Sequence, residues 1–177
     1  MSAAASVPSV QSSSSNGGGT GWTEVDTDKI LVQISPTNNV SILWGVDSNN
    51  RVYKSTNRGN DWEQPNDQMN LAQISVSGDG NKLWGVDGNK RVYKSTDQGV
   101  EWREPNDQIS LAQISVNGDG SILWGVDGEK KVFKSIDEGV SWIPIPTKAL
   151  KQISVSGDGN VVWGIDQDDK IWWTFNQ

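Results

Sequence analysis

Neither cysteine nor histidine occurs among the 177 residues. Without cysteine there are no disulfides, no thiolate nucleophile and no thiolate metal site. Without histidine the commonest general base and the commonest nitrogen ligand for zinc are also gone, and no metal or cofactor is expected. Two tyrosines and two phenylalanines stand against ten tryptophans, so indole rings supply most of the large apolar area. No stretch approaches the roughly 18 consecutive apolar residues of a membrane-spanning helix, which predicts a soluble chain. Fifteen Lys and Arg face 22 Asp and Glu, for a net charge of −7. Neither nucleic acid nor an anionic membrane surface is therefore an expected partner.

The opening MSAAASVPSVQSSSSNGGG has no basic n-region and no sustained apolar run. It reads as no secretory signal, and the expected location is cytoplasmic or reached by unconventional secretion. Its Ser/Gly bias predicts a disordered tail over residues 1–18, followed by one domain over 19–177.

That domain is repetitive. Trp22, Trp62, Trp102 and Trp142 recur at one constant spacing, and Gln-Ile-Ser begins at Gln33, Gln73, Gln113 and Gln152. A Trp-Gly pair follows that tripeptide at the same interval each time, at Trp44, Trp84, Trp124 and Trp163. In the second repeat LAQISVS alternates like a strand, SGDGN is a turn, KLWGV a second strand, DGNKR a hairpin loop, VYKS a third strand, STDQG a turn and VEWRE a fourth strand. Four antiparallel strands in a repeat of about 40 residues make one propeller blade. The fold class is thus all-β, a small propeller of four four-stranded blades.

The last repeat stops three strands in, at KIWWTFNQ, while Gly21-Trp22-Thr23-Glu24-Val25 has the wording of the missing strand. The N-terminal strand is expected to complete the last blade and close the ring, leaving no open inner edge. The same split can also be completed between neighbouring chains, so the assembly is a monomer or a small homo-oligomer.

The phrases LAQISVSGDGNKLWGVDGNKRVYKS and ALKQISVSGDGNVVWGIDQDDKIWW resemble the tectonin (tachylectin-like) β-propeller family over residues 22–177. Members of that family are mostly lectins, with methylated sugars and bacterial surface glycans among their targets, and more often carry five or six blades. The connections STNRGNDW, STDQGVEW and SIDEGVSW look like the Asp-box, in which the Asp accepts loop N–H groups, the Gly bends and the Trp packs beneath; this role is structural.

Sugar-binding candidates fall into three sets. Trp44, Trp84, Trp124 and Trp163 lie beside Gly45, Gly85, Gly125 and Gly164, where glycine leaves room most simply for an aromatic ring of the adjacent blade; they are either packing or stacking platforms. Tyr53, Tyr93, Phe133 and Trp172 place an aromatic in every third strand, with the same two readings. Asp47, Asp87, Asp127 and Asp166 open the hairpin loops and Arg51, Arg91, Lys131 and Lys170 end them, either as capped turns or as pairs that bind sugar hydroxyls. The hairpins should share a face with the PND-type linkers and lie opposite the Asp-box turns. Carboxylates that recur symmetrically offer no distinctive acid pair, so no catalytic residue is named and no enzyme is expected. The leading expectation is a multivalent lectin for cell-surface or glycoprotein glycans; the alternative is a protein-interaction scaffold, kept open by the divergent Pro36-Thr37-Asn38-Asn39 and Ile143-Pro144-Ile145-Pro146.

Overall fold

Strand alternation and Gly-rich turns govern the computed structural model, which describes residues 21–176. The expected tail over residues 1–18 lies outside the described residues. Thirteen strands form four antiparallel sheets, and no helix occurs among the described residues. The first sheet contains β1 (Leu31–Pro36), β2 (Leu43–Asp47) and β3 (Val52–Ser55); the second contains β4 (Gln73–Val76), β5 (Leu83–Val86) and β6 (Val92–Ser95). The third contains β7 (Gln113–Val116), β8 (Leu123–Val126), β9 (Val132–Ser135) and β10 (Ile143–Ile145); the fourth contains β11 (Leu150–Val155), β12 (Val161–Asp166) and β13 (Ile171–Phe175). Each sheet is a meander in chain order, as a propeller blade is.

Only the third sheet has the expected fourth strand. In the first two it contracts to single bridges, Lys54 with Glu63 and Lys94 with Arg103. The cause is local: Ile145 pairs with Val132 and extends β10, whereas Pro65 and Pro105 occupy that register position and have no N–H for the next ladder bond.

The glycine in each second strand also has a different neighbour from the one expected. A Cβ on Gly85 would overlap the side chain of Leu71, and one on Gly125 that of Leu111. The close approach is thus made by a leucine at the start of the same blade, not by an aromatic ring from the next.

The aromatic packing between blades occurs elsewhere. Trp44 and Trp84 are 0 % exposed, and a Cβ on Gly99 in the next blade would lie 2.9 Å from the Trp44 ring. Each junction pairs one face of a blade with the opposite face of its successor: Trp44, Val46 and Val52 meet Leu71, Ile74, Val76 and Leu83. Trp84, Val86 and Val92 meet Leu111, Ile114, Val116 and Leu123 in the same way. Trp124, Val126 and Val132 meet Leu150, Ile153, Val155 and Val162. The core is therefore three slabs between four sheets. The indole Nε1 atoms of Trp44, Trp84 and Trp124 are buried and make no hydrogen bond, so these rings are held by apolar contact and by the Lys54, Lys94 and Lys134 ammonium groups over them.

The ring closure expected from the two extremities is not made within this chain. Gly21–Val25 forms no strand, Trp22 is fully exposed, and the fourth sheet ends at β13. Val25 rests against Gly59 beside Trp62, as Pro65 does on Gly99 and Pro105 on Gly139. That contact ties the segment to the first sheet. The four sheets stand as an open arc, with Ile34 58 % exposed while its equivalents Ile74 and Ile114 are 1 % exposed.

Because Trp84 fills a whole junction, Trp84→Ala should cost about 3–5 kcal/mol, read from urea unfolding monitored by circular dichroism. A loss below about 1 kcal/mol would contradict the packing described, since a fully buried large-to-small change costs more than this.

Candidate functional site

The four hairpin loops lie on one rim of the arc. In the first, Asp47 Oδ1 accepts from the amides of Asn49 and Arg51, both at 2.9 Å. Asp87 does the same for Asn89 and Arg91 at 2.8 and 2.9 Å, Asp127 for Glu129 and Lys131 at 2.8 Å, and Asp166 for Asp168 and Lys170 at 2.9 Å. These bonds hold Asn50, Lys90, Lys130 and Asp169 in the left-handed region, with φ from 62° to 70°, where non-glycine residues need such support. Every candidate aspartate is thus committed to its own turn.

The second carboxylate oxygen differs between repeats. Asp47 Oδ2 accepts from Arg51 Nε at 2.8 Å and Asp87 Oδ2 from Arg91 Nε at 3.0 Å, each closing a two-pronged ion pair. These guanidinium groups lie 5.9 and 5.6 Å from the ring centroids of Tyr53 and Tyr93. Lys131 turns to Glu129 at 2.6 Å instead. In the fourth repeat the Trp172 indole donates to Asp166 Oδ2 at 2.7 Å, and the Lys148 ammonium sits 4.0 Å over the Trp172 ring. Burial pushes the Asp47 carboxyl up, but the Arg51 amide, the Arg51 guanidinium and the Asn49 amide outweigh it and hold the group below the usual carboxylate range. The same opposition holds for Asp166, with the Lys170 amide and the Trp172 indole prevailing over burial.

The structure sorts the sequence candidates by what a ligand can reach. Trp44, Trp84 and Trp124 are buried in the junctions and present no open face. Trp163, at the end of the arc, is 48 % exposed. Tyr53 is buried, Tyr93 and Phe133 are partly buried, and Trp172 is exposed. Arg51 and Arg91 are half exposed above nearly buried carboxylates. The accessible chemistry of the rim is thus two oriented guanidinium groups, Arg51 and Arg91, with the carboxylate beneath each as a positioner and a partly exposed ring, Tyr93, beside the second.

Two features escaped the sequence reading. The linker from the next repeat joins each of the first three hairpins, with Arg51 bridged to Asn70 and Arg91 to Ser110, and with the Leu71 amide donating to the Asn50 carbonyl at 2.8 Å. The hairpins and linkers therefore share a face, as expected, but they also form one surface. The Gln of the first three Gln-Ile-Ser tripeptides is an inter-blade clamp: Gln73 Nε2 donates to the Ile114 carbonyl and Gln73 Oε1 accepts from the Ile114 amide, both at 2.9 Å, and Gln33 and Gln113 do the same to Ile74 and Ile153. Its presence in all four repeats was the available signal. On the opposite rim, Glu138 bridges Lys82 and Lys94 of the preceding blade. Those two ammonium groups, Lys82 first, hold the Glu138 carboxyl below its ordinary value.

An apolar cavity of about 390 Å³ opens between the third and fourth sheets, lined by Trp124, Lys148, Trp163, Trp172 and Trp173 among others. Among the described residues no cluster of potential ligands could hold a metal ion.

Four packed meanders with repeated junctions define a β-propeller arrangement of blades. The tectonin domain matches over residues 9–101 and again over 80–177, and the chain belongs to the tectonin family. No curated protein matches the sequence. In fold it is similar to the GH74 xyloglucanase from Xanthomonas campestris (13 % identity, TM-score 0.62), covering 81 % of this chain and 24 % of that one. It is also similar to YCF48 bound to D1 peptide (16 %, TM-score 0.54, 80 % of this chain and 48 % of that one) and to human WBSCR16 (8 %, TM-score 0.58, 82 % and 47 %). The chain spans about a quarter of the first and about half of the other two. At these identities the likeness is one of fold.

Since Asp47 is depressed in the folded state, the stability it adds is full above the unfolded carboxyl value of about 3.9 and is lost as pH falls through the lower folded value. Asp47→Asn should cost about 1–3 kcal/mol at pH 7, and the gap in melting temperature between it and the parent should narrow as both are acidified below about pH 4. A constant gap down to low pH would contradict the assignment.

Proposed function

We propose that the protein is a multivalent carbohydrate-binding protein, a lectin for methylated or microbial surface glycans on cells or glycoproteins, and that it catalyses no reaction. The observation that carries this reading is the recurrence on one rim of the Arg51–Tyr53 and Arg91–Tyr93 pairs, each with a half-exposed guanidinium fixed by its aspartate. The guanidinium N–H groups that each aspartate leaves free suit a sugar, which offers hydroxyl acceptors around its perimeter. Family membership supports the same reading. Single sites of this kind bind weakly, and repetition raises avidity by about 10²–10⁴ where two sites engage together. The non-catalytic part of the reading is supported by the aspartates, whose oxygens serve backbone turns in all four repeats. The net charge of −7 argues against nucleic acid, and the proposed setting is cytoplasmic or reached by unconventional secretion.

A second reading, a protein-interaction scaffold, is favoured by the loops that break the repeat. Asn38 and Asn39 stand where the second repeat has Gly78 and Asp79, and Ile143–Ile145 replaces a bridge by a strand. One structural neighbour is seen bound to a peptide.

A glycan array that includes methylated sugars tests the first reading. Binding is expected, and Arg91→Ala should weaken it about ten- to hundredfold, the effect of losing a charged hydrogen bond of about 1.5–3 kcal/mol, with an unchanged circular dichroism spectrum. An array without hits, or an Arg51→Ala/Arg91→Ala variant that binds as the parent does, would remove the lectin reading.

A further inference from the structure

We propose that the two open faces of the arc are the two halves of one further blade junction, and that a second copy of this chain supplies both, so that two chains close head to tail into an eight-bladed ring. The inference rests on the fold and not on the glycan reading.

The first observation is the composition of the open faces. Every internal junction sets a tryptophan and two β-branched residues of one blade against four apolar residues of the next. The outward face of the fourth sheet carries Trp163, Ile165 and Ile171 in the register of Trp84, Val86 and Val92. The outward face of the first sheet carries Leu31, Ile34, Pro36 and Leu43 in the register of Leu71, Ile74, Val76 and Leu83. Ile171 is 70 % exposed, yet its equivalents Val92 and Val132 are buried. Trp173 stands where the other repeats place a lysine over the indole, with its ring centroid 6.1 Å from that of Trp163.

The polar pattern is complementary in the same sense. Gln33, Gln73 and Gln113 each donate to the next blade, at Ile74, Ile114 and Ile153, and Gln152 is the fourth of the series, exposed at the end. A backbone run links Asn38 to Gly78, Gly78 to Gly118 and Gly118 to Gly157, each amide donating to the next carbonyl at 2.7–2.8 Å. It terminates in the Gly157 amide at one end and the Asn38 carbonyl at the other, a donor and an acceptor that suit each other. One contact cannot recur. Val76, Val116 and Val155 donate to the serine of the preceding blade, and Pro36 has no N–H to donate.

The outer edge gives a third, independent match. Trp102 packs on the cluster around Trp44 and Trp142 on that around Trp84, but among the described residues no outer-strand tryptophan packs on Trp124. The cavity of about 390 Å³ lies at Trp124, and Trp22, the unused member of that tryptophan series, is fully exposed just ahead of Val25. Val25 is fixed to the first blade, so Trp22 can enter only the blade that adjoins it.

The open ends select a second copy over this chain's own last blade: among the described residues no buried apolar cluster joins the fourth sheet to the first. Two copies give eight blades, within the range of about 4–8 for propellers, and a head-to-tail contact that closes after two copies has two-fold symmetry.

Light scattering and sedimentation of the intact chain over a concentration series test this. A mass of two chains is expected. Ile34→Asp changes a residue that is exposed in the single arc, so it should preserve the circular dichroism spectrum and yield one-chain particles. Trp22→Ala should weaken association by at least about tenfold, as central interface tryptophans do. A one-chain mass for the parent at its highest soluble concentration, a mass of three or more chains, or a two-chain mass for Ile34→Asp would overturn the proposal.

Discussion

The junction between successive blades is the interaction on which the rest of the fold depends. A single sheet of three or four short strands has two faces and cannot bury either alone. Here one indole per blade, Trp44, Trp84 or Trp124, reaches across to its successor, and a glutamine amide ties the two inner strands with a paired donor and acceptor. The indole supplies area and the amide supplies register. Sliding one blade along the next would leave the Ile114 amide and carbonyl unpaired at the edge of an apolar slab, which is costly. Stability in such an array is close to a sum over units and nearest-neighbour interfaces, and the glycine beside each tryptophan serves the unit term by letting Leu31, Leu71, Leu111 or Leu150 cross its own blade.

Much of this was legible in the sequence because a repeat reports its own boundaries. Strand alternation around Ile74 and Val76, the Gly-Asp-Gly turns and the Asp-opened hairpins each fold as their local chemistry dictates, and four copies average out ambiguity. What the sequence did not disclose were relations between units. Trp44 and the Gly99 it packs against are separated by more than one whole repeat, and nothing in the spacing says that the ring enters the next blade instead of standing on the surface. The contraction of the fourth strand was visible in principle, since Pro65 and Pro105 withhold an N–H that Ile145 provides. Angle between blades was not, because curvature is set by how volumes fill a junction and leaves no periodic trace.

The candidate site shows the same division. Its aspartates were found by their recurrence, but recurrence alone does not distinguish a turn cap from a ligand. The geometry does: two amides at 2.8–2.9 Å occupy Oδ1 in every repeat. What varies is the cation above. Arg51 and Arg91 fork onto their carboxylates, Lys131 leaves for Glu129, and Trp172 replaces the cation as donor in the fourth repeat. Structural constraint is therefore uniform around the rim while the exposed chemistry is graded. Blades one and two present the most alike surfaces, and the fourth presents a cation over an indole.

Arrays of repeats commonly end in polar capping units, because a terminal face has no successor to cover it. The two end faces of this arc carry no such polar cap. Ile34, Trp163, Ile171 and Trp173 remain apolar and exposed at the two ends of the arc, where substitution by charged residues would carry no packing penalty in an isolated arc. Only Pro36 resembles edge protection, since it removes one donor from the inner strand. One missing hydrogen bond weakens a contact without abolishing the apolar match around it. Faces that keep the wording of an interior junction are explained by an interior environment, and the exposed tryptophan at position 22 and the cavity at Trp124 then become two sides of a single contact.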